Sequence, residues 1–125
     1  MTQIPDFDLN NFDKSFIGSV GFDFFALSSF EEREFTFYVD GKEGDDNLTI
    51  SNSAGGVVLG GDGTDIIYAK NVTGPVQAFG GDGNDLIEIY SSNNSSTFAY
   101  GGNGKDTLKG GNKNDNLYGD NGKDR

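Results

Sequence analysis

Apolar residues in this chain come in short alternating bursts, and the gaps between the bursts repeat. Ile67 and Ala69 stand two apart, as do Ile87 and Ile89. The stretch Glu34 to Val39 (EFTFYV) alternates in the same way. A period of two reads as a β-strand with one face turned inward. No window approaches eighteen apolar residues, so no transmembrane helix is expected. The pattern predicts an all-β chain of many short strands joined by turns.

The gaps follow a formula. Gly-Gly-Asp-Gly-x-Asp occurs at Gly60 to Asp65 and again at Gly80 to Asp85. Looser copies start at Gly41, Gly101, Gly110 and Gly119. The sixth position is Asp46, Asp65, Asp85, Asp106, Asp115 and Asp124. The eighth is aliphatic: Leu48, Ile67, Ile87, Leu108 and Leu117. Glycines at the first, second and fourth positions open backbone angles closed to other residues and let carbonyls turn inward. The aspartate adds a carboxylate. Calcium is a hard cation that takes six to eight oxygens of these two kinds, at about 2.3–2.6 Å. Each gap therefore reads as a candidate metal-binding turn, and each burst as the strand it feeds.

Six copies in one frame resemble the nonapeptide GGxGxDxUx repeats of RTX (haemolysin-type) calcium-binding proteins, over roughly residues 41–124. The resemblance implies a right-handed parallel β-roll, a β-solenoid in which two nonapeptides make one coil. The starts at Gly41, Gly60, Gly80, Gly101 and Gly119 lie 19, 20, 21 and 18 residues apart. Those five turns are therefore expected to stack along one edge. The opposite edge would carry Ser51 to Gly56, Lys70 to Pro75, Ser91 to Ser96 and Gly110 to Asp115. Only the last of these has the sixth-position aspartate.

The resemblance also implies a ligand set, carried over position by position. It comprises Gly44 and Asp46, then Gly60, Gly61, Asp62, Gly63 and Asp65, then Gly80, Gly81, Asp82, Gly83 and Asp85. It continues with Gly101, Gly102, Asn103, Gly104 and Asp106, and ends with Gly119, Asn121, Gly122 and Asp124. Asp46 with Asp65, Asp65 with Asp85, Asp85 with Asp106, and Asp106 with Asp124 would each share an ion. Up to about four calcium ions on one edge are expected. Lys42 departs from the pattern by replacing a second-position glycine.

Composition adds three points. The net charge is −11, from 20 acidic and 9 basic residues. Nucleic-acid binding is disfavoured, because phosphate recognition needs a basic face. Aligned aspartates repel until cations neutralise them. The 20 glycines are costly to order. Metal binding supplies folding free energy where no site exists in the unfolded chain. The repeat region is accordingly expected to order when calcium binds.

The chain has no histidine and no cysteine. That removes the HExxH zinc site and every Ser-His or Cys-His pair, so no enzyme is expected. The start MTQIPDFDLN lacks the basic and apolar regions of a secretory signal peptide. Relatives of the resembled family are bacterial proteins exported by type I systems. A secreted, extracellular home is what the resemblance implies.

Nine of the 11 phenylalanines lie in residues 1–39. This segment is expected to be an aromatic-rich N-terminal cap, with residues 40–125 forming the calcium-binding roll, because a solenoid end needs an atypical cover. Leu59, Phe79, Tyr100 and Tyr118 each precede a repeat and should point outward from one sheet. They read as a stabilising cross-coil ladder, or as a face for a protein or cell-surface partner. The function expected is a calcium-driven β-roll module. The alternative is an adhesin or surface-layer module that uses the roll as a rigid spacer.

Overall fold

Short alternating segments make strands, and glycine-rich gaps turn the chain between them. The computed structural model describes residues 14–19, 21, 23–28, 36–91, 96–111 and 115–125. Every regular element among them is a strand. In chain order these are β1 (Lys14–Ile17), β2 (Phe24–Ser28), β3 (Thr36–Asp40), β4 (Asn47–Ser53), β5 (Gly55–Asp62) and β6 (Ile66–Val72). They continue as β7 (Val76–Asp82), β8 (Leu86–Ser91), β9 (Thr97–Asn103), β10 (Thr107–Lys109) and β11 (Asp115–Asn121).

The strands alternate between two sheets. One has the order β1-β3-β5-β7-β9-β11 and the other β10-β8-β6-β4-β2. Every pairing is parallel. A chain that visits the two sheets in turn and always returns beside its previous visit is a β-solenoid. The expected all-β parallel roll is therefore what the chain forms.

Alternation decides the core. Leu48 and Ile50, Ile67 and Ala69, and Ile87 and Ile89 point inward from the second sheet and are fully buried. Facing them from the first sheet are Phe37 and Val39, Val58, Ala78 and Ala99. Parallel register stacks like on like: Val39 beside Val58, Val58 beside Ala78, Ala78 beside Ala99, Ala99 beside Leu117. Leu117, last in that column, is 41% exposed. Each inward column is thus continued from one coil to the next, so coils are held by their neighbours more than by themselves.

Outward residues of the first sheet form a second apolar cluster of Tyr38, Val57, Leu59 and Phe79, with Tyr100 against it. The rings of Phe79 and Tyr100 stack at 4.8 Å, and those of Tyr100 and Tyr118 at 5.0 Å. Phe79 is only 5% exposed, whereas Tyr118 is 45% exposed. On the outer face of the second sheet, Glu88 is nearly buried. It accepts hydrogen bonds from the Tyr90 hydroxyl at 3.2 Å and the Lys109 ammonium at 3.1 Å.

The stretch 1–39 holds β1 and β2, which pair with β3 and β4 and so extend both sheets. Phe7, Phe12, Phe22, Phe30 and Phe35 lie outside the described residues.

Candidate metal centre

Every connection from the first sheet to the second falls on one edge of the roll. It carries Gly41 to Asp46, Gly60 to Asp65, Gly80 to Asp85 and Gly101 to Asp106, with Gly119 to Asp124 at the end of β11 and just beyond it. Each of these turns runs six residues from its first glycine to its aspartate. The uneven coil length therefore falls on the other edge, as between β6 and β7. There Asn52 and Asn71 take left-handed angles (φ 55° and 52°), and the register of β6 on β8 shifts between Lys70 and Val72.

Stacked turns bond to one another. Gly44, Gly63, Gly83 and Gly104, all fourth positions, donate their N–H groups to the carbonyls of Asp62, Asp82, Asn103 and Asn121 one coil on, at 2.7–2.9 Å. Left-handed angles make this possible. Gly61, Gly81 and Gly102 have φ between 104° and 113°, and the fourth-position glycines between 120° and 150°. Other residues seldom adopt such angles. Lys42 and Asp120 nonetheless adopt φ 81° and 68° at the second position. The Lys42 ammonium turns to Asp40, at 2.9 Å.

The sixth-position aspartates form a continuous ladder. Asp46 N–H donates to Asp65 Oδ1, Asp65 N–H to Asp85 Oδ1 and Asp85 N–H to Asp106 Oδ1, each at 2.9 Å. Asp106 N–H reaches Asp124 Oδ1 at 3.0 Å. One oxygen of each carboxylate is thus spent on the neighbouring coil. The other is not: Oδ2 of Asp46, Asp65, Asp85 and Asp106 is buried and has no hydrogen-bond partner. An orphaned anionic oxygen is expensive away from water.

The orphans line small cradles. A Cβ added at Gly60 would strike Asp65 Oδ2 and lie 2.6 Å from the Gly80 carbonyl oxygen. Gly41 sits in the same way between Asp46 Oδ2 and the Gly60 carbonyl, and Gly80 between Asp85 Oδ2 and the Gly101 carbonyl. At Gly101 the pair is Asp106 Oδ2 and the Gly119 carbonyl. Each cradle offers a carboxylate oxygen and a carbonyl oxygen, a donor set that suits a hard dication. Among the described residues no three acidic side chains converge on one point. An ion here would therefore lean on backbone oxygens.

Electrostatics agree. Burial, the largest effect, pushes the Asp65 carboxyl up to about 6 and that of Asp85 to about 7. The N–H donors from the neighbouring coil pull the other way, and adjacent carboxylates add to the rise. Asp46 and Asp106 are raised too, chiefly by burial. Without a cation the row resists full ionisation.

The third-position side chains do not join the cradles. Asp62, Asp82, Asn103 and Asn121 line a separate outer row, where Asn103 donates to Asp82 at 2.7 Å and Asn121 to Asn103 at 3.0 Å. Asp115 lies on the opposite edge, beside Thr97, and its Oδ1 is also buried and unpaired. Residues 112–114 of that turn are outside the described residues.

One turn on the same edge as the cradles escaped sequence reasoning. Gly18 to Asp23 joins β1 to β2. Asp23 N–H donates to Asp46 Oδ1 at 2.7 Å, so Asp23 begins the ladder. The signal was there: Gly18, Gly21, Asp23 and Phe25 occupy the first, fourth, sixth and eighth places of GSVGFDFFA. Ser19 in the second place, and a gap of 23 residues to Gly41, hid it.

The RTX calcium-binding nonapeptide repeat family matches the chain in four copies, over residues 57–71, 74–88 and 100–125. Neither a curated protein nor a solved structure matches it. Four copies of this repeat on a parallel roll, with their turns aligned along one edge, support an RTX-type calcium-binding β-roll in the matched region.

Proposed function

We propose that calcium ions lie between successive turns of this edge and that their binding drives the roll to fold. Calcium binding as such follows from the family; the placing and number of the ions are our reading. The four orphaned Oδ2 oxygens of Asp46, Asp65, Asp85 and Asp106 carry it. The ligands would be those oxygens, the Asp124 carboxylate and carbonyls of the glycine-rich turns. Up to four ions would fit. Bound calcium supplies positive charge to a row of carboxylates that otherwise repel one another. It also offsets the cost of ordering 20 glycines.

The test is a calcium titration by calorimetry, with circular dichroism in parallel. Strand signal is expected to grow with binding and to vanish on chelation. A spectrum indifferent to chelation would sink the proposal.

Residues 1–39 would cap the roll formed by residues 40–125. That β1 and β2 extend both sheets supports a segment folded against the first repeat coil. RTX repeats are structural calcium-binding units, and we assign this chain no catalytic role. Export by a type I system to the outside of a bacterial cell is proposed on the family alone. No helix of the described residues is long and apolar enough to cross a membrane, which leaves β-barrels unaddressed. One observation favours a second reading, a calcium-stiffened spacer in an adhesin or surface layer: the Tyr118 ring is open to a partner.

A further inference from the structure

The turn from Gly18 to Asp23 matches its five siblings in position but differs in how its carboxylate is satisfied. Gly18 N–H donates to the Asp40 carbonyl at 2.6 Å, and Asn47 N–H to the Asp23 carbonyl at 2.9 Å. The cradle walls are present too: a Cβ at Gly18 would strike the Gly41 carbonyl and lie 2.6 Å from Asp23 Oδ2. By backbone alone this is a fifth cradle. Its Oδ2, however, is not orphaned. Ser19 N–H donates to it at 2.6 Å, and the Ser19 hydroxyl lies 3.2 Å from both oxygens of the same carboxylate.

A second difference explains the first. At the other five turns the second-position residue has a left-handed φ: Lys42 81°, Gly61 113°, Gly81 111°, Gly102 104° and Asp120 68°. Ser19 is not among the left-handed residues. Its amide closes on the carboxylate of its own turn. The Oδ2 oxygens of Asp46, Asp65, Asp85 and Asp106, in turns with left-handed second positions, stay unpartnered.

We propose that Ser19 stands in for a calcium ion. The Gly18 to Asp23 turn is then a metal-free rung that ends the calcium ladder at Asp46. Ser19 fixes where ion binding starts, and so how many ions the roll takes. The donor balance supports this. A carboxylate that already accepts an amide N–H and a hydroxyl has less negative charge to offer a cation. This inference rests on the calcium ladder proposed above and deepens it.

One substitution tests it directly. Ser19→Gly turns GSVGFD into GGVGFD and lets the second position turn left-handed. Calcium stoichiometry would be read by native mass spectrometry for the full chain, its Ser19→Gly variant and its Asp23→Ala variant. We expect Ser19→Gly to hold one ion more than the parent, and Asp23→Ala to hold the same number as the parent. One ion fewer in Asp23→Ala would overturn the inference, because Asp23 would then be a ligand. So would a folded Ser19→Gly variant with no additional ion. If Ser19→Gly does not fold, the Asp23→Ala count decides. A parent chain that takes up no calcium would instead sink the ladder itself, a failure distinct from the two above.

Discussion

Asp85 reaches across a coil boundary to Asp65. Its Oδ1 accepts the Asp65 N–H at 2.9 Å, while its Oδ2 stays buried without a partner. One carboxylate thus locks two coils together and leaves a charge for something else to satisfy. The same division holds at Asp46, Asp65 and Asp106.

Asp65→Ala and Asp85→Ala are therefore expected to be the most damaging single changes on the metal edge. Each removes a carboxylate that, on the proposed ladder, would serve two neighbouring ions, and leaves a buried N–H unpaired, which costs about 1–3 kcal/mol by itself. The calcium midpoint for folding, followed by circular dichroism, should rise about tenfold or more. Asp115→Ala, on the other edge, should move it far less. Equal effects at all three positions would refute the shared-ligand arrangement.

Gly60→Ala should disable the cradle without removing any ligand. The new Cβ would collide with Asp65 Oδ2 and crowd the Gly80 carbonyl. Calorimetry is expected to show at least one ion lost. Gly74→Ala is a steric control on the opposite side of the roll. Its Cβ would meet the Ala54 carbonyl, so it should destabilise the fold yet keep the ion count.

Acid should oppose calcium. In the folded, metal-free chain Asp65 and Asp85 have carboxyls raised to about 6 and about 7, above the ordinary range near 4. A raised carboxyl means that the fold binds more protons than the unfolded chain. Metal-free stability then falls as pH rises from about 4 to about 7 and is higher in acid. Calcium needs the ionised form, so its affinity should drop as pH falls through 7 towards 6. Titrations at pH 8 and pH 5.5 would check this; equal affinity at both would contradict it.

Glu88 ties three coils together far from the metal edge. Its carboxyl is held below the ordinary value, chiefly by the Tyr68 hydroxyl, with Lys109 and Tyr90 contributing. A lowered carboxyl stabilises above the ordinary range and loses that stabilisation as pH falls through its folded value. Glu88→Ala should cost about 1–2 kcal/mol in chemical denaturation with calcium present. It should leave the number of bound ions unchanged.

The aromatic column separates the two functional readings. Phe79→Ala removes a buried ring and should cost about 3 kcal/mol or more. Tyr118→Ala removes an exposed one and should cost under about 1 kcal/mol. If Tyr118→Ala leaves stability intact but abolishes attachment to a cell surface, the spacer reading gains. If attachment is unaffected, the column is a stabilising ladder alone.

Much of this molecule was legible as text because its contacts are periodic. The eighth-position residues Leu48, Ile67, Ile87 and Leu108 recur with the turns, and parallel stacking puts them in one column. A repeat of about two nonapeptides per coil determined which turns would meet. Strand alternation determined which side chains would face inward.

What only the tertiary structure decided is how each oxygen is used. The sequence shows the same aspartate at every sixth position. It does not show that Oδ1 goes to the next coil's amide while Oδ2 is left over, because that depends on bonds between residues 18–23 apart. Nor does it show that the third-position Asp62 and Asp82 face an outer row rather than the cradles. The Gly18 to Asp23 turn was hidden for the same reason. Its motif is degenerate as text, and its place in the ladder comes from backbone pairing with Gly41 to Asp46 (a relationship between coils that no single repeat contains). Sequence alone determined the period and the kinds of atom on offer; the stacking of coils decided which atoms are satisfied and which are left to bind a cation.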